Sequence, residues 1–182
     1  MAKVADTISS QISNLPKQEL EKLVLRAAKR DKEFHDFLLV NYFDKEYGEQ
    51  DLFEQAKEDL EVFFRKKYKG YAEELQLAEM LKACSKRIVE FSKVCKNKHL
   101  ECDLVMHVLE IPFSLPANMF QTCFTAYNYK VVSLLKRIVN LVEKKMHEDY
   151  KIQYRSKINN YLDVLHRTCS YLDYVNALPA SV

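Results

Sequence analysis

The residues best suited to chemistry lie in the run HLECDLVMH, where His99, Asp103 and His107 follow one another at i, i+4 and i+8. On a helix, two neighbours four residues apart share a face and can hold one metal ion, as in zinc proteases. The outer histidines would stand about 12 Å apart along the axis, at about 1.5 Å per residue, too far for one ion to bind all three. No glutamate is placed beside them as a general base. The expectation is therefore no metal and no cofactor, with His99, Asp103 and His107 as the ligands if an ion does bind.

Two further pairs have acid–base character. Asp163 and His166 are spaced i, i+3, and Glu143 and His147 i, i+4. Such pairs stabilise helices, and hydrolysis would need a nucleophile and an oxyanion donor besides. The cysteines supply no obvious nucleophile. Cys84, Cys95, Cys123 and Cys169 fall on apolar stripes, where a thiol is buried and inert. Cys102 lies between Glu101 and Asp103, which raise a thiol pKa and do not lower it.

Binding chemistry is the alternative. Lys82, Lys86, Lys93 and Lys96 form a row opposite an apolar stripe, a face that could meet phosphates or an acidic partner, although Glu79 and Glu90 dilute its field. No arginine–aromatic interleaving of the kind that reads single strands accompanies it. Among the 11 tyrosines, Tyr150, Tyr171 and Tyr174 fall off the core pattern and are candidates for an interaction surface.

Helices must position these residues, and the scarcity of glycine says so. Only Gly48 and Gly70 occur in 182 residues. Phosphate-cradling loops need several glycines at fixed spacing, so nucleotide folds built on them are excluded, and no Asn-Gly or Asp-Gly hairpin turn is present. Apolar residues cluster at about 100° per residue in every segment. The first helix spans about 16–30, with Pro16 at its first position and Leu20, Leu23, Val24 and Ala27 on its inner face. A second follows Asp31, with Phe34, Phe37, Leu38 and Tyr42 inward. A third, about 51–69, carries Leu52, Phe53, Ala56, Leu60, Phe63 and Phe64, and Gly70 suits the position just past its end. A long helix over about 71–98 and a short one over 100–109 precede a break at Pro112 and Pro116. Helices over about 117–147 and 150–176 complete the chain, the first burying Phe120, Cys123 and Phe124 with Ile138 and Leu141. The expected architecture is all-α, six or seven amphipathic helices in an irregular bundle or stacked hairpins. It forms one domain over 1–182, with 1–13 and 177–182 frayed.

Composition agrees. Hydrophobic residues make up 48% and charged residues 30%, the balance of a globular chain. A formal net charge of +2 gives no strong field toward nucleic acid or an anionic membrane. Five scattered cysteines without a Cys-x-x-Cys pair, no apolar signal core at the start and no run near the roughly 18 residues of a membrane span point to a reducing, cytoplasmic setting.

The segments NLPKQELEKLVLRAAKRDKEFHDFLLVNYFD and LFEQAKEDLEVFFRKKYKG resemble the opening of an uncharacterised family of small bacterial all-α proteins. Leu15, Lys17, Glu19, Leu20, Leu23, Val24 and Leu25 carry the first part of the likeness; Phe63, Phe64, Arg65 and Lys66 carry the second. The resemblance covers about 14–70 and implies a bacterial, cytoplasmic source without an established activity. Similar hairpins occur in HEAT-like helical repeats, which suggests partner binding. The functional expectation is a non-catalytic module that binds another protein. A nucleic-acid-associated factor using the lysine row is the first alternative, and a metal-dependent enzyme with ligands in 99–107 the second.

Overall fold

The computed structural model describes residues 6–182. Among these there is no strand, and the chain is all-α: α1 (Asp6–Ser13), α2 (Lys17–Arg30), α3 (Lys32–Leu38), α4 (Lys45–Arg65), α5 (Glu73–Val94), α6 (Lys98–Ser114), α7 (Thr125–Lys145), α8 (Glu148–Thr168) and α9 (Asp173–Asn176). A π-helical turn, Leu39–Phe43, and a 3-10 turn, Ala117–Gln121, interrupt the series. The expected six or seven helices are nine among the described residues, because long apolar stripes are broken by caps that periodicity alone does not register.

The chain groups into two compact units, Met1–Gly48 and Glu49–Val182. In the first unit, α2 begins after Pro16, which caps it from outside the helix. α2 packs on α3, which leads into the π turn. Asp31 alone joins the two helices. Its N–H closes α2 on the Ala27 carbonyl at 2.9 Å, and its carboxylate accepts the Phe34 N–H at 3.3 Å. Leu23 and Val24, expected inward, are 48% and 42% exposed, and none of the fourteen residues of α2 is buried. Tyr42 is also exposed, at 70%. The π turn closes with Asp44 N–H on the Leu39 carbonyl, five residues back, so the extra residue per turn rotates Tyr42 off the face that a 3.6-residue period assigns it. Gly48 is where the first turns of α4 come close to the buried Val40; a Cβ there would stand 3.4 Å from Val40 Cγ2.

The second unit is a helical bundle with α7 at its centre, packed against α5, α6 and α8. Val131, Leu135, Ile138 and Val142 of α7 are fully buried, together with Leu81 and Ile88 of α5, Val105 and Leu109 of α6, and Ile158 and Leu162 of α8. Leu52, Ala56 and Leu60 keep the expected stripe on α4. That helix stops at Arg65, so Gly70 is not its closing residue. It sits in the following loop at φ +155°, where a Cβ would meet Leu75 and Gln76 at 3.1–3.3 Å.

The expected helix over 71–98 ends at Val94, because Cys95 is extended and Asn97 opens α6. The Asn97 side chain accepts the His99 N–H at 3.1 Å and, at a longer 3.5 Å, that of Leu100. Pro112 does not break the chain. It lies buried within the last turn of α6, and the helix runs on to Ser114. The expected helix over 117–147 is a 3-10 turn, an extended break at Thr122, and then α7. The expected helix over 150–176 starts at Glu148, ends at Thr168 and resumes briefly as α9. Nor is the C-terminal segment loose. Leu178 is buried, the Pro179 carbonyl lies 3.2 Å from His166 Nε2, and the Val182 N–H donates to Asn159 Oδ1 at 2.8 Å. Of the expected frayed start, 6–13 is helical and 1–5 lies outside the described residues.

Candidate functional site

α6 carries His99, Asp103 and His107, but each turns to a different partner. The His99 ring meets the Tyr150 ring edge-on, centroids 4.1 Å apart. Asp103 accepts a 2.7 Å hydrogen bond from the Tyr154 hydroxyl on α8. His107 Nε2 lies 2.8 Å from Glu61 on α4, and its ring lies against Phe64. No group of three acidic, histidine or cysteine side chains able to hold a metal comes together among the described residues.

Asp103 and His107 do line an open groove of about 510 Å³ between α4, α6 and α8. Its floor includes Phe53, Leu104 and Met106, and its walls carry Lys57, Glu110 and Lys157. Lys157 and Glu110 close on each other at 2.8 Å across the groove. The Tyr154 hydroxyl is pushed well above its ordinary value, by burial first and then by its bond to Asp103. Asp103, His107, Glu110 and Lys157 are each paired across the helices, and these contacts hold α4, α6 and α8 in register.

The strongest electrostatic arrangement was not foreseen. Glu101, 3% exposed, sits among α5, α6 and α7. Its Oε1 takes Arg137 Nη2 at 2.6 Å and Nε at 3.0 Å, and its Oε2 takes Lys98 at 2.7 Å. Arg137 also donates to Ser92 at 3.0 Å. The signal was present in the chain: Glu101 precedes Leu104, Val105 and Val108 at helical spacing, and Arg137 falls between Leu134 and Leu141. Each is a charge on an apolar stripe, and opposite charges there are mutual partners.

The other candidates are dispersed. Lys82 pairs with Glu79 at 3.1 Å and Lys86 with Glu90 at 3.9 Å. Lys93 is exposed on α5, and Lys96 lies beyond its end, in the connection to α6. Asp163 pairs with Arg167 and not His166, and His147 with Asp149 and not Glu143. Tyr150 and Tyr171 are exposed, at 53% and 58%. Tyr174 donates to the Thr125 carbonyl at 3.2 Å and sets its ring edge-on to Tyr129. Burial pushes the Cys84 and Cys102 thiols up to about 12 and Cys95 to about 11. For Cys102 the acidic neighbours Glu101 and Asp103 add to that. Cys123, expected in the core, is exposed, because the break at Thr122 removes it from the α7 stripe.

What remains is the apolar surface of the first unit. Among the described residues, more than half of the large apolar side chains left exposed come from this unit, Leu25 at 61% and Phe43 at 76% among them. On α2, Leu20, Leu23, Val24 and Ala27 span about 100° of arc at about 100° per residue. Arg26, Lys29 and Arg30 form no ion pair among the described residues, whereas Glu19 and Glu21 are each matched by a lysine of the same helix, Lys22 and Lys17. A helix that is amphipathic, uncovered and unneutralised at one end has the make-up of a docking element.

The fold thus defines an all-α chain with a short N-terminal helical unit and, later in the sequence, a helical bundle. No family model, curated protein or solved structure matches it.

Proposed function

We propose that this chain is a non-catalytic protein-binding module, and that α2 is its principal docking helix. The observation that carries the reading is the exposure of the Leu23–Val24 face on a fourteen-residue helix with no buried residue. Apolar side chains held on a formed helix gain free energy only when something covers them. The likeness of 14–70 to small bacterial all-α proteins and to HEAT-like hairpins fits the same reading. So does a reducing, cytoplasmic setting, since the thiols of Cys84, Cys95, Cys102 and Cys169 are free and buried. No helix among the described residues is long and apolar enough to cross a membrane.

Chemical cross-linking in cells of the source, with peptide-level identification, tests the reading. Lys17, about 20° from Val24 around the helix at about 100° per residue, borders the face and is expected to link to a protein partner in the wild type and not in the Leu23→Glu, Val24→Glu variant. The same cross-links in both forms would refute it.

A further inference from the structure

We propose that the segment joining α4 to α5, residues 65–71, binds single-stranded nucleic acid, with its lysines on phosphates and Tyr71 stacked on a base. This is a second binding surface, built from residues that take no part in the docking helix.

The segment reads Arg65, Lys66, Lys67, Tyr68, Lys69, Gly70, Tyr71. The fold accounts for one of its four cations. α4 ends at Arg65, where a positive charge suits the negative end of a helix, and Arg65 is paired with Glu61 at 3.6 Å. Lys66, Lys67 and Lys69 lie past the helix, are exposed, and pair with no carboxylate among the described residues. The Lys66 ammonium stands 5.7 Å from the centre of the Tyr68 ring, a contact that leaves its charge unneutralised. The next carboxylates along the chain, Glu73 and Glu74, belong to the first turn of α5 and act on Tyr127, whose hydroxyl is pushed up by burial first and then by these two charges. At physiological salt a charge is felt over about 8 Å, so three free lysines in four residues attract an anion even though the formal net charge of the chain is only +2.

The aromatic component is equally uncommitted. Tyr71 is 90% exposed and touches Phe124 edge-on, centroids 5.9 Å apart, so its ring adds little to the core. The segment is anchored around it. The Tyr68 hydroxyl is buried, and Gln76 Nε2 donates to the Gly70 carbonyl at 3.0 Å, which sets Lys69 and Tyr71 on either side of a fixed residue.

Lysines alone suit any polyanion, and the ring decides among them. Bases stack on aromatic faces, and in a single strand those base faces are free. A bilayer needs aliphatic side chains to bury, and residues 65–71 contain none. Carboxylates do not stack, so an acidic peptide would engage the lysines and leave Tyr71 idle.

Fluorescence anisotropy of a labelled oligothymidylate of about 12 nucleotides, titrated with the full chain, reads the binding. The expected dissociation constant is about 100 μM at physiological salt, and affinity falls with a log–log salt slope of about −2, from about −0.7 for each of three phosphates. Lys66→Glu with Lys67→Glu and Lys69→Glu abolishes binding, whereas Lys66→Arg with Lys67→Arg and Lys69→Arg keeps it; the far-UV circular dichroism of both matches the wild type. Tyr71→Ala weakens binding by about 10-fold at an unchanged salt slope, because stacking carries no charge, and Tyr71→Phe retains it. An anisotropy that stays flat to about 1 mM protein at low salt overturns the proposal. So does binding that survives the three changes to Glu, or a Tyr71→Ala variant that binds as the wild type does. A duplex of the same length held as tightly, polyglutamate that displaces the strand charge for charge, or phosphatidylserine vesicles that take up the chain while the strand does not bind each overturns the single strand as ligand.

Discussion

Replacing Glu101 by Gln tests whether the ion cluster among α5, α6 and α7 secures the bundle. The change keeps the volume of the side chain, so no cavity contributes. It removes the negative charge that accepts two short bonds from Arg137, at 2.6 and 3.0 Å, and one from Lys98 at 2.7 Å. Removing one member of a buried pair costs about 3–5 kcal/mol, because the other is left charged in a poorly solvated place. Arg137 keeps 24% of its side chain exposed and Lys98 33%, so water relieves part of the loss, and about 3 kcal/mol is expected. With a urea dependence of about 2 kcal/mol per molar, the midpoint falls by about 1.5 M. Arg137→Met alone is expected to cost less, since Lys98 still neutralises Glu101. The double variant Glu101→Leu, Arg137→Met should recover much of the loss, because two apolar side chains need no counter-charge. Urea titrations followed by circular dichroism supply all of these values. A midpoint shift below about 0.3 M for Glu101→Gln, or effects of the two positions that simply add, would show that the cluster does not act as a unit.

Four other outcomes follow from the structure. Thiol burial makes stability pH-dependent on the alkaline side. Unfolded thiols ionise from about pH 9, whereas Cys84 and Cys102 hold their protons to about 12, so this stabilisation is full below pH 9 and is lost as pH rises toward 12. Urea midpoints measured from pH 7 to 11 should be level at first and then fall. Among the five cysteines, Cys123 should react first with a thiol reagent at pH 8 in the folded protein, read by mass spectrometry of the labelled peptides. Tyr154→Phe, which removes the donor to Asp103, should cost about 1 kcal/mol of unfolding free energy. Gly70→Ala should lower stability by at least about 1 kcal/mol, because its φ of +155° and the nearby Leu75 and Gln76 both oppose a Cβ, and thermal melts will show it.

Helical class was legible because apolar side chains recur with a helical period in nearly every segment, and the α4 stripe of Leu52, Ala56 and Leu60 is buried as that period predicts. Boundaries were less so. The break between α5 and α6 is written in Asn97, a cap residue whose neighbours continue the apolar pattern on both sides. The α7 boundary was hidden in the same way, since Phe120 reaches the core from a 3-10 turn and mimics the stripe it precedes. Pro112 misled in the other direction, because it lies in the last turn, where it deprives only the Val108 carbonyl of its donor with two residues left to run, and the ring packs inward. The apolar side of α2 was misassigned for a deeper reason. A period reports that α2 has an apolar side and cannot report what covers it, so Leu23 and Val24 read as core. Of the metal-like set on α6, the residues were visible but not their partners: Tyr150, Tyr154 and Glu61 come from α8 and α4, far along the chain.

The single residue between α2 and α3 bears on how tightly the N-terminal unit can grip. Asp31 finishes one helix and starts the next, so no slack lies between them and the pitch of α2 against α3 is set by one pair of backbone angles. A longer joint would let α2 swing and charge each encounter with the entropy of stilling it. Held on a one-residue elbow, the face meets whatever approaches already aimed.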